Sequence, residues 1–98
     1  MSIHVESITV QDVLTSLGFA DPLVAARQQA QMILLGRLAS YEAEVRQMEQ
    51  KWGVPFEEME RRYNKVGYED PEVDDDYLTW RWYAEAAESV RSKLLVVA

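Results

Sequence analysis

The feature that most constrains this chain is a helical pattern that runs unbroken from Asp21 to Trp52. Asp21-Pro22 is a start signal: the aspartate can cap, and proline suits the first turn, where its missing N–H is not needed. The pattern ends at Gly53-Val54-Pro55, with glycine where a helix terminates and proline where it cannot continue. Gly36 is the single glycine inside. A helix over 21–52 is ~45 Å long at 1.5 Å per residue. A helix of that length is held by packing along one face, so it needs a partner surface. Leu34, Leu38, Tyr41, Val45, Met48 and Trp52 supply the face, spaced four and three alternately as in an a/d seam. Around Met32–Leu35 nearly every side is apolar, which predicts burial from more than one direction. Ahead of that turn, Leu23, Ala26, Ala30 and Ile33 form a narrower stripe that permits close approach.

A second seam lies near the carboxyl end: Trp80, Tyr83, Ala87, Val90, Leu94 and Val97. It predicts a helix over about 76–96, antiparallel to the first. A short helix is expected over about 56–65, in the connection. Another is expected over about 9–17, where Thr9 and Asp12 stand in capping-box positions and Gly18 follows. Residues 3–8, IHVESI, alternate loosely and read as a short strand or an extended arm. The expected fold class is all-α: a long helix and a C-terminal helix packed as an antiparallel pair, with short helices at the N-terminus and in the connection. Residues 1–98 read as a single helical domain. A further stripe, Leu78, Trp82 and Ala86, joins Leu95, Val96 and Val97 in offering more apolar surface than one partner helix can cover. That surplus predicts a homodimer or higher oligomer, or a protein partner.

Charge is concentrated. The net charge is −7, and the stretch YEDPEVDDD (68–76) holds Glu69, Asp70, Glu72, Asp74, Asp75 and Asp76 with no base. It reads as an acidic loop that would attract a basic partner and repel nucleic acid. No Lys or Arg precedes Arg27, and the small cluster Arg61, Arg62 and Lys65 is offset by Glu57, Glu58 and Glu60. Nucleic-acid binding is therefore not expected.

Most site chemistry is missing. With no cysteine and only His4, there is no disulfide framework, thiol nucleophile or histidine-rich metal site. The four glycines are scattered, so no phosphate-binding loop forms. The acidic stretch lacks the glycine and closing glutamate of a calcium loop. Glu57, Glu58 and Glu60 sit in a first helical turn, where acids suit the dipole. No catalytic, cofactor-binding or metal-binding residues are expected, and no cofactor. No apolar run spans a bilayer, and MSIHVES has neither the basic nor the apolar region of a signal peptide. The expectation is a cytoplasmic protein with no membrane partner.

Two segments carry a resemblance. Lys51–Glu58, KWGVPFEE, and Asp76–Glu85, DYLTWRWYAE, with Leu17-Gly18-Phe19 ahead of the long helix, resemble small all-helical proteins of archaea and bacteria, including cyanobacteria. These are antitoxin-like or uncharacterised proteins encoded beside small toxin-like proteins. The resemblance covers about residues 15–95. It implies a non-enzymatic protein-binding module that masks a small toxin. Apolar contacts would come from Leu78, Trp82, Leu94, Leu95 and Val97. Acidic contacts would come from Glu69, Asp70, Glu72, Asp74 and Asp75. The alternative is a homo-oligomeric helical scaffold with no toxin partner.

Overall fold

A computed structural model describes residues 7–19, 21–66 and 70–98 of the chain. Four helices follow one another: α1 (Val10–Ser16), α2 (Pro22–Trp52), α3 (Phe56–Val66) and α4 (Pro71–Val97). Each well-defined end has a local cause. At α1, Thr9 Oγ1 accepts from the Asp12 amide and Asp12 Oδ2 accepts from the Thr9 amide, both at 3.0 Å, a reciprocal capping box. Asp21 Oδ1 accepts from the Leu23 amide at 2.8 Å to open α2. Gly53 closes it at φ +69°, its amide donating to Glu49 O at 2.7 Å. That left-handed conformation is one glycine adopts without steric penalty.

The acidic segment is a correction. It is expected as a loop over 68–76 with a helix from 76, but α4 begins at Pro71. Asp70-Pro71 repeats the start signal of Asp21-Pro22: Asp70 Oδ1 accepts from the Glu72 amide at 3.0 Å, and proline occupies the first turn. The acids that follow are then at the positive end of the helix dipole. Residues 3–6 of the suggested strand lie outside the described residues, and Ser7 and Ile8 are not extended strand.

The pairing of α2 with α4 is antiparallel. At one end Gln31 Nε2 donates to Val97 O at 2.6 Å, and at the other Trp52 Nε1 donates to Asp76 Oδ2 at 2.9 Å. The buried core lies toward that second end. Met59, Tyr63, Tyr77 and Trp80 form it, with Val45, Met48, Trp52, Val54, Phe56 and Val73 packed around. Tyr63 and Tyr77 stack with ring centroids 3.7 Å apart, and Phe56 lies 5.6 Å from the fully buried Trp80. Ala87 and Val90 continue the buried line along α4.

The opposite end has no such core. Neither α1 nor α2 contains a fully buried residue. Met32, Ile33 and Leu35, expected to be buried from more than one side, are exposed in the single chain. Those three follow Gln31 and lie alongside α4, but on sides of α2 that α4 leaves uncovered. Ahead of them α4 ends, level with Gln31, so the first nine residues of α2 extend past it. The molecule measures 73 × 28 × 18 Å, with a radius of gyration of 21.7 Å. A compact chain of this length would have a radius near ~13 Å.

Candidate protein-binding surface

The exposed aromatic on α4 is Trp82, 58% exposed, one turn beyond Leu78, 48% exposed. Both project because Tyr77, Trp80, Ala87 and Val90 take the inward face of the same helix. The Trp82 ring is nevertheless held. Tyr41 of α2 meets it edge-on at 5.7 Å and Tyr83 at 5.1 Å, and Tyr41 lies 6.1 Å from Tyr83. Leu78, Thr79, Trp82 and Tyr83 line a shallow surface depression of about 370 Å³. An aromatic that is exposed yet fixed can dock without first being ordered, which suits an interface anchor.

The acidic turns of α4 lie one to three turns toward its N-terminus, and much of their charge has an internal use. Lys51 Nζ lies 2.7 Å from Asp76 Oδ2 and 3.0 Å from Glu72 Oε1, tying the end of α2 to the start of α4. These contacts, Asp76 first and then Glu72, raise the Lys51 ammonium above its usual value. The Tyr63 hydroxyl donates to Asp74 Oδ1 at 2.7 Å. The Tyr77 hydroxyl donates to Glu60 Oε2 at 3.3 Å, and burial first, then the Glu60 charge, pushes its pKa up. Asp70 caps the helix, while Asp75 is exposed. Glu69 lies outside the described residues.

The expected binding residues therefore fall into separate groups. Leu78 and Trp82 share a face, with the acidic turns beside them. Leu94, Leu95 and Val97 are at the far end of α4; fifteen residues separate Trp82 from Val97, ~22 Å along the axis. Leu95 is exposed there, whereas Leu94 and Val97 are half-buried. Sequence reasoning missed two things. Lys51 reads from sequence only as part of a turn, and the structure brings it to Asp76 and Glu72. The apolar stripe ahead of Met32 reads from sequence as permitting close helix approach, but α4 stops short of covering it.

A second depression, about 340 Å³, lies between α2 and α4 beside the start of α3. Its rim charges face one another: Arg91 approaches Glu42 at 3.8 Å and Glu88 at 3.2 Å, and Arg46 lies 3.9 Å from Glu42. Glu58 is likewise matched by Arg61 and Arg62, which hold its carboxyl below the usual range. Among the described residues, no group of three or more His, Cys, Asp or Glu is placed to hold a metal ion, and no helix is long and apolar enough to cross a membrane.

The fold and this surface define a helical protein built on one antiparallel pair, with an aromatic anchor left outside its core. The chain belongs to the Uncharacterized protein MJ0235 family, whose model matches residues 6–96. Comparison with curated proteins and with solved structures finds no match.

Proposed function

We propose that the chain is a non-enzymatic protein-binding module, antitoxin-like in action, that covers a small basic partner with the Leu78–Trp82 face of α4. The observation that carries this reading is Trp82: exposed, yet its ring is fixed by Tyr41 and Tyr83. Interface energy concentrates in such preorganised aromatics. The acidic turns of α4 supply a negative field next to the anchor. Lys51 offsets only part of it, so its main effect would be to speed encounter with a basic surface. The toxin as partner follows from the resemblance of KWGVPFEE and DYLTWRWYAE. A homo-oligomeric scaffold is the second reading, favoured by apolar surface on α2 far from this face.

The test is co-expression with the product of the adjacent gene, purification through a tag on this chain, and light scattering of the eluate. A stoichiometric complex with a neighbour that is toxic alone supports the antitoxin-like reading. In that complex Trp82→Ala should weaken binding by at least ~2 kcal/mol, about thirtyfold, as for an interface hot spot. Asp75→Asn should slow association at low salt and leave dissociation nearly unchanged. An innocuous neighbour that does not co-purify would overturn it.

A further inference from the structure

We infer that the amino-terminal half of α2 is a docking surface for a second copy of this chain, packed antiparallel about a two-fold axis near Gln28. Three observations converge on it.

The first is the overhang. Gln31 Nε2 reaches Val97 O, so Pro22–Ala30 projects beyond the end of α4, ~13 Å of helix. Val24 and Gln28 on this overhang, with Met32 and Leu35 just past it beside α4, are spaced four, four and three and form one stripe on this half of the helix. Met32 is 68% exposed and Leu35 55%. Leu23 and Ile33 are exposed too, and so are Leu95 and Val96 of α4 at the level of Gln31.

The second is area. The chain exposes 7342 Å². A compact monomer of 11.3 kDa exposes about 5,700 Å². The excess over the whole chain is about 1,600 Å², and about half of it would supply one partner's share of a standard interface.

The third is charge, which selects both the occupant and its direction. Two copies of a −7 protein repel wherever their acidic surfaces meet. Residues 22–41 contain Arg27 and Arg37 and no acid, whereas residues 1–21 carry three acids and no base, and residues 42–98 carry fourteen acids against eight bases, net −6. A second copy can approach without that repulsion along the first of these segments. A parallel arrangement would set two acidic ends side by side. An antiparallel one, with Gln28 facing Gln28 and Val24 facing Met32, places the two Trp52 ends ~70 Å apart, many times the ~8 Å screening length at physiological salt.

This surface does not include the Leu78–Trp82 face, so the two readings fail separately. The experiment is sedimentation equilibrium of the full chain at physiological salt, with paired variants. Wild type should have twice the 11.3 kDa monomer mass. The double variant Met32→Glu/Leu35→Glu should fall to monomer mass with its helical circular dichroism kept, because both residues are exposed in the single chain. Leu78→Glu/Trp82→Glu should remain a dimer. The chain has no cysteine, so a single introduced thiol reports proximity directly. Under an added oxidant, Gln28→Cys should cross-link to itself and Asn64→Cys on α3 should not. This second measurement stands even if the glutamate pair unfolds the protein. A monomeric wild type overturns the inference. So does a dimer that survives Met32→Glu/Leu35→Glu, or one that cross-links through residue 64 and not through residue 28.

Discussion

Lys51 shows how one side chain can tie the end of one helix to the start of another. It stands at the end of α2, contacts both Asp76 and Glu72, and shares Asp76 with the Trp52 indole. Its ammonium is raised above the ordinary 10.5, Asp76 contributing most, so it holds its proton more tightly folded than unfolded. The stability it lends is complete below 10.5 and is lost as pH rises through the higher folded value. Tyr77 acts in the same direction. Burial and Glu60 raise its phenol above 10.0, so the fold keeps it neutral after the unfolded chain has begun to ionise. Its contribution also fades as pH rises through the folded value. The urea midpoint should therefore decline above about pH 10, where an unfolded tyrosine begins to titrate. Lys51→Met should be less stable at neutral pH, and Tyr77→Phe should show a shallower alkaline decline. An alkaline profile unchanged in both variants would refute the account.

At the scale of the element, α4 is where the sequence was both clear and misleading. The seam from Trp80 to Val97 was legible, because inward residues recur every three or four positions and the helix buries Trp80, Ala87 and Val90 from that list. The first turns were not. Aspartate is a poor helix former and six acids in nine residues read as a solvated loop, although Asp70-Pro71 is the same start signal as Asp21-Pro22. Long-range contacts add to that local cap: Lys51 and the Tyr63 hydroxyl reach the turn from α2 and α3. Periodicity on one helix cannot report those contacts. Asp70→Ala should remove the cap and cost about 1 kcal/mol, within the usual range for N-cap loss. In a domain of this size that lowers the melting temperature by roughly 4–8 °C. Asp70→Ser, which keeps an acceptor, should recover most of the loss. The candidate site was half legible for a related reason. The stripe Leu78–Trp82 lies on one helix and could be read from spacing. Its distance from Leu94–Val97 follows from the same spacing, but the Tyr41 contact with Trp82 depends on register between helices.

Over the whole molecule, stability is unevenly placed. Among the described residues, the six buried ones all belong to α3 and α4. The aromatic stack of Phe56, Tyr63 and Tyr77 closes over Trp80 where α2, α3 and α4 meet. At the other end, α1 and the start of α2 are held by caps and a few half-buried contacts, with Val10, Val13, Leu17 and Leu23 in water. Local opening follows buried contact, so hydrogen exchange should divide the chain. Amides from 45 to 52 and from 77 to 90 should exchange slowest, at rates set by global unfolding. Those from 10 to 30 should exchange fastest. If a second copy covers the arm, protection of 22–35 should rise with protein concentration, while that of 77–90 rises only as far as dimerisation stabilises the whole fold. Met32→Glu/Leu35→Glu should abolish the concentration dependence and leave the slow core in place. Uniform protection along α2 at high dilution would contradict this division. It would mean that the arm is stable without cover, and that its apolar surface does not set where the molecule opens.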